Sequence, residues 1–415
     1  MAETVFVEST PPTSRGRDLD LVVSAVRIPM RRSFSHAAHA RDNAESVLVR
    51  CRIGDVTGWG EGAPRPYVTG ETMAGARQAL TGESSLFLLE QLAGLWASGA
   101  AFKAGPQALA ALDIPRMLGG LQRAPAAAAA LETALLDVWC RLFDRPLRDV
   151  VRAVVPSLGH THGLLAEEPR PQPVTLVADL AKARGSVAAA LTPASAAALR
   201  HVKLKASAEP TDTARRAREL RAELADAGAG QATFSVDANA AWTGEQSLLA
   251  ADLLGGVADW LEEPTAPRRW EQLRRIRERT GMPVMLDESA VDVGDVETAA
   301  GLGAADSVNL RVSKCGGLLP ALKVAAAARR CGLRLQVGVQ VAEVGPLWVA
   351  GRVLATELAD LLAVEAGRQD EWFDPPLTEP PYRIDRTRHL APVPEGAGLG
   401  VEPSPTLRAH GVDTG

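Results

Sequence analysis

Several things are scarce in this chain of 415 residues, and each scarcity excludes something. Aromatic residues make up only 4% of it, so its helices are expected to pack through small side chains, alanine above all. The four cysteines, Cys51, Cys140, Cys315 and Cys331, form no C-x-x-C. That excludes a disulfide framework or a zinc cluster and fits free thiols in a reducing cytosol. No uninterrupted apolar run approaches about 18 residues, so no membrane span is expected. The opening stretch MAETVFVESTPPTSRGRD lacks the apolar segment of a secretory leader, and a cytoplasmic location follows as the expectation. The net charge is −5 and no basic stripe is interleaved with aromatics, which argues against nucleic acid or an anionic membrane as partner. What remains, 46% apolar and 23% charged residues, is an ordinary globular composition over a length that suggests two domains.

The most informative stretch runs from His201 to Gly317. It holds five short hydrophobic runs, HVKLK, ATFSVDAN, WLEEP, PVMLDES and SVNLRVSK, each ending on charge. The terminal residues Lys205, Asp237, Glu262, Asp287 and Lys314 are 32, 25, 25 and 27 residues apart. A strand, a helix and two loops fill that length, so the period predicts successive strands of one β/α barrel with the charges on one rim. Three more runs, HGLLAE (162–167), RLQVGVQ (334–340) and LLAVEA (361–366), bring the count to eight. VTLVADLAKAR and TPASAAALR read as helical, as do TDTARRARELRAELADAG and PALKVAAAARRCG, the last two stopping at glycine.

Ahead of the barrel, residues 1–17 read as a loose tail and 18–155 as an α+β cap. Strand-like runs lie at 21–29, 45–53 and 56–62, with Gly54-Asp55 as a tight hairpin. Residues 31–43 and 63–72 read as long loops of the kind that carry function. The stretch AAAAALETALLDVWCRL (126–142) has one apolar stripe and predicts a helix. GWGEG (58–62) lacks a strand–helix context for phosphate binding and reads as strand and bulge. The barrel is expected over 156–370, with 371–415 returning onto the cap.

Asp237, Glu262 and Asp287 would end barrel strands three, four and five and lie side by side. Three such carboxylates either take up protons or share a cation. Hard oxygens without His or Cys favour Mg²⁺, with Mn²⁺ as the alternative ion. Singly, each is as well read as a helix N-cap. Lys205 and Lys314, ending strands two and six, would face each other across the mouth as an acid/base pair acting on the proton α to a carboxylate. Lys203, on the same side of its strand as Lys205, should depress the pKa of Lys205.

K-x-K at Lys203–Lys205, D-x-N at Asp237–Asn239, E-E-P at Glu262–Pro264, D-E-S at Asp287–Ser289 and K-x-G-G at Lys314–Gly317 together resemble the enolase superfamily, in its muconate-lactonising subgroup. The resemblance extends over about residues 20–400. It implies a (β/α)7β barrel with an α+β cap, one divalent ion on Asp237, Glu262 and Asp287, and Lys205 and Lys314 as bases. It places Glu263 and Glu288 beside the metal ligands, Asn239 behind them, and Glu343 in support of the far lysine. It also implies a homo-oligomer. None of the seven histidines ends strand six or seven, which sets the chain apart from the mandelate-racemase branch. The Asp-x-Asp of dipeptide epimerases is missing from VEAGRQDEWFD. The function implied is racemisation or epimerisation of an amino-acid derivative. The alternative is a cycloisomerase or β-eliminating lyase of the muconate cycloisomerase or o-succinylbenzoate synthase type.

Other residues admit two readings. Arg311 either touches substrate or pairs with an acid of the barrel wall. Gly316-Gly317 either presents amides to an anion or only permits a turn. His36, His39 and Tyr67, like Arg65 and Thr69, either contact substrate or are ordinary residues of the cap. Cys315 and Trp242 read as packing. His160-x-His162 superficially suits a zinc amidohydrolase but lacks the later histidines such a site needs.

Overall fold

The structure is a computed structural model that describes residues 6–7, 19–35, 40–82, 124–159, 161–178, 185–341 and 343–410. Its N-terminal part is an antiparallel sheet in the order Phe6–Val7, Leu19–Ser35, Ala40–Ile53, Val56–Gly62. Gly54, at φ +56°, turns the tight hairpin between the last two strands. The long loop expected at 31–43 is largely strand: the ribbon continues to Ser35 and restarts at Ala40. Its register shifts between Pro29 and Phe34, where a proline cannot donate to the ladder. His36 and His39 lie outside the described residues.

The helix Pro125–Leu142 starts with a proline, and Ala126 through Cys140 are buried without interruption. GWGEG crosses it as a plain strand, with unbroken register and no bulge. A Cβ at Gly58, Gly60 or Gly62 would collide with the backbone of Val138, Ala130 or Ala126, so the glycines are there to let strand and helix backbones meet.

Eight parallel strands form the second sheet: Leu176–Ala178, His201–Lys205, Thr233–Asp237, Trp260–Glu262, Val284–Leu286, Ser307–Leu310, Arg334–Val337 and Leu361–Val364. The Thr175 amide donates to the Val364 carbonyl at 2.8 Å, tying the first edge to the last, as a barrel requires. The first strand is not the expected 162–167, which forms turns and a single bridge from Leu165 to Leu358. It is the three-residue run inside VTLVADLAKAR. A run that short carries no period of its own, and the alanines after it read as helix. The sixth strand also stops early, at Leu310, and Lys314 sits in a one-turn helix, Val312–Cys315.

The barrel floor is closed by His201, stacked on Trp260 with ring centroids 4.7 Å apart. Its Nδ1 is hydrogen-bonded with Thr175 Oγ1 at 2.8 Å and its Nε2 with Ser235 Oγ at 3.0 Å. Burial pushes this imidazole down to about 3, so it is neutral at pH 7. No helix among the described residues is long and apolar enough to cross a membrane.

Cap and barrel meet through buried carboxylates on helix starts, where unpaired amides need acceptors. Val344, Gly345 and Leu347 donate to the Glu61 carboxylate at 2.6, 2.9 and 3.1 Å, at the start of the helix Pro346–Glu357. The C-terminal segment returns to the cap helix: Leu399 donates to Asp137 at 2.7 Å, and Arg141 donates to Glu402 at 3.1 Å.

Candidate active site

Strand pairing aligns the rim. Lys205 is opposite Asp237 and Asp237 opposite Glu262. Glu262 is opposite Met285, two residues before Asp287, so Asp287 shares its strand face one step along. Three carboxylates thus stand on adjacent strands, all buried.

Each is neutralised by a cation. Lys205 Nζ donates to Asp237 Oδ2 at 2.5 Å and to Asn239 Oδ1 at 3.2 Å. Asn239, at φ +48°, also donates its amide to Asp237 Oδ1 at 2.9 Å. Burial would raise the Asp237 carboxyl, but Lys205 and Lys203 outweigh it and hold Asp237 below the usual range. Lys203 Nζ lies 2.5 Å from both Glu262 Oε2 and Glu365 Oε1. Burial opposes its charge, yet Glu262, Glu365 and Asp237 together keep the amine above its usual range. Glu262 also accepts from Asn309 at 2.8 Å and Gln336 at 3.2 Å.

At the other end of the row, Lys314 Nζ donates to the Asp287 carbonyl at 2.5 Å, the Asn309 carbonyl at 2.7 Å and Asp287 Oδ1 at 3.1 Å. Burial, reinforced by Arg311, brings this amine down to about 8. Arg311 lies against Asp287 Oδ2 and donates to Gln340 Oε1 at 2.7 Å. Of its two readings, pairing with an acid of the barrel is therefore the observed one. The Gln340 amide in turn donates to Glu343 at 2.7 Å. Glu343, raised to about 8 by burial and then by Glu61, reaches the rim through Gln340 and Arg311.

Glu263, at φ +36°, accepts the amides of Asp287 and Ser289 at 2.7 and 3.0 Å. It ties the fourth strand end to the fifth, and burial raises it to about 7. Glu288 is raised to about 8 by burial and by Glu263. Tyr67 is half-buried. Arg65 is fully buried and donates to the carbonyls of Glu45 at 2.9 Å and Val341 at 2.6 Å, while Thr69 donates to Glu71 at 2.7 Å. Arg65 thus ties the cap to the barrel segment that follows the seventh strand, and Thr69 serves the cap's own structure. Trp242 is buried, its indole donating to the Ser207 carbonyl at 2.9 Å, and Cys315 is a buried free thiol.

Among the described residues no three His, Cys, Asp or Glu side chains converge as a ready-made ion-binding group; each rim carboxylate is turned onto its own cation. The donor set nevertheless suits a hard divalent ion. It is all oxygen, and beside it Glu288 Oε2 is buried without accepting a hydrogen bond. Sequence reasoning missed Glu365. The rule that each barrel run ends on charge points to it, since LLAVE is the eighth run. Asn309, Gln336 and Gln340 carry no such signal.

The amides of Gly316 and Gly317 close the turn, donating to the carbonyls of Ser313 at 3.3 Å and Val312 at 2.9 Å. Leu318 and Leu319, opening the next helix, donate to Glu132 of the cap helix at 2.5 and 3.1 Å.

Comparison with known proteins agrees with this architecture. The family described as Enolase C-terminal domain-like matches residues 182–407. N-succinyl-L-Arg/Lys racemase of Bacillus cereus is 25% identical over 76% of this chain and 78% of its own. Its crystal structure superposes with TM-score 0.75 at 23% identity, over 95% of this chain and 97% of that one. Muconate cycloisomerase 1 of Rhodococcus opacus is 27% identical over 70% of this chain and 72% of its own. A dipeptide epimerase from Enterococcus faecalis, solved with Mg and L-Leu-L-Tyr, has TM-score 0.72 at 21% identity, over 92% of this chain and 98% of that one. With its model spanning more than half the sequence, the chain belongs to the enolase C-terminal domain-like family, within the enolase superfamily.

Proposed function

We propose that this enzyme abstracts the proton α to a substrate carboxylate, with Lys205 and Lys314 as its acid/base groups and Asp237, Glu262 and Asp287 as ligands of one Mg²⁺. The observation that carries the reading is the bracketing of the row: one lysine amine is bonded to Asp237 at one end and another to Asp287 at the other. Mg²⁺ bound there would offset the negative charge that builds on the substrate carboxylate as its α-proton leaves. The protein supplies the rest. Lys314, its proton loosened by burial, is suited to take a proton near neutral pH. Lys205, held by Asp237 and Asn239, is suited to return one to the opposite face of the α-carbon. Lys203, locked between Glu262 and Glu365, keeps a permanent positive charge beneath the row.

Amines at both ends support inversion at the α-carbon, so racemisation or epimerisation of an amino-acid derivative is the first reading. The racemase relative supports it. Cycloisomerisation or β-elimination is the second, favoured by the cycloisomerase relative; the stretch VEAGRQDEWFD, which holds no Asp-x-Asp, argues against a dipeptide as the racemised substrate. Incubation in D₂O with N-acylated amino acids and dipeptides decides between them. A racemase or epimerase washes deuterium into the α position of both stereoisomers; a failure to exchange any of them sinks the first reading.

A further inference from the structure

The turn that carries Lys314 is held from outside the barrel. Val312–Cys315 is only four residues long, too short to hold its shape alone. The cap grips it on both sides. The Ala63 amide, just past GWGEG, donates to Ser313 Oγ at 3.0 Å. Three residues beyond Lys314, Gly317 at φ +139° leaves room for the Glu132 carboxylate, which a Cβ there would overlap. Glu132 is buried and accepts the Leu318 and Leu319 amides. It is an acid of a cap helix that caps a barrel helix, at the point where the chain leaves the lysine. Lys205, by contrast, lies within a barrel strand whose partners are all barrel residues.

We propose that Glu132, assisted by Ser313, is a positioning residue for Lys314: cap docking sets where one of the two amines stands and leaves the other untouched. This rests on the reading of Lys314 as one of two opposed bases. A misplacement on the order of 1 Å costs about 100-fold in rate, so the effect is expected on one stereochemical course only.

The experiment is α-deuterium exchange in D₂O, run separately on each antipode of a substrate, with wild type, Glu132→Ala, Glu132→Gln, Ser313→Ala and Lys314→Ala. Glu132→Ala should slow exchange from one antipode by about 100-fold, the same antipode that Lys314→Ala slows, with little change for the other. Glu132→Gln, which keeps one acceptor oxygen, should recover much of the loss, and Ser313→Ala should fall between it and wild type. Equal slowing of both antipodes, or none in a folded variant, overturns the proposal. Hydrogen–deuterium exchange of the backbone supplies a readout that needs no substrate. Residues 312–319 should lose protection in Glu132→Ala while 201–206 keep theirs, and unchanged protection of 312–319 also overturns it. If Glu132→Ala does not fold, Glu132→Gln and Ser313→Ala carry both measurements. Wild type that exchanges no substrate while 312–319 loosen as expected would condemn the catalytic reading and leave the cap-to-turn link standing.

Discussion

The two lysines of the rim are built to different plans. Lys205 belongs to a regular strand, is bonded to the Asp237 and Asn239 side chains, and keeps 11% of its side chain exposed. Lys314 belongs to a one-turn helix past the end of its strand, is fully buried, and is bonded mainly to backbone carbonyls. The first is fixed by the sheet, the second by burial and by the cap. Like side chains in like chemistry can therefore be sensitive to quite different parts of the molecule.

The sharpest way to break this comparison is to remove the amines in turn. Lys205→Ala and Lys314→Ala should each lower turnover by about 10³-fold or more, while each retains residual α-exchange from the opposite antipode. Loss of the same antipode in both would show that the lysines do not face each other. Next in size is Glu365→Gln, which leaves Lys203 short of a partner. Breaking a buried ion pair costs about 3 kcal/mol, which urea denaturation would register as a lower midpoint; an unshifted midpoint means Glu262 alone suffices for Lys203. Smaller is the effect on the ion. Calorimetric titration should show Mg²⁺ binding weakened by about tenfold or more in both Asp237→Asn and Asp287→Asn, and a loss at only one end would shorten the ligand row.

The last test concerns pH and the Lys314 side. Burial raises Glu132 from an ordinary 4.5 to about 8. Between those values the folded chain keeps a proton that the unfolded chain has released. Its contribution to stability is therefore full below about 4.5 and is lost as pH rises through about 8. Glu132→Gln should flatten that decline. Denaturation midpoints compared at roughly pH 5 and pH 8 check it, and an equal slope in variant and wild type refutes it.

Much of the barrel and its rim is legible in the order of residues alone. Charges at barrel spacing place Asp237, Glu262, Asp287 and Lys205 on one rim, because strand ends recur with the βα unit and a charge at such an end has few other places to go. The positions that escape such reading share a cause. Leu176–Ala178 is too short to show a period, and the apolar HGLLAE imitates a strand as well as it does. The run SVNLRVSK reads as strand throughout, yet its backbone turns helical at Val312, a change that only tertiary contact dictates. Glu61, Glu132 and Asp137 are invisible as acceptors. Their amide partners lie 283, 186 and 262 residues away for Val344, Leu318 and Leu399, and no local pattern records a partner that distant.

The strand of alternate glycines has a consequence for chemistry far from it. Because Gly58, Gly60 and Gly62 touch the Ala126–Val138 backbone directly, they act as a gauge of minimum thickness between two layers. Substituting even alanine would wedge the cap helix outward, and the acid it carries would be lifted off the barrel helix it seats. A methyl group on the outer sheet would then be felt as a displaced amine at the rim.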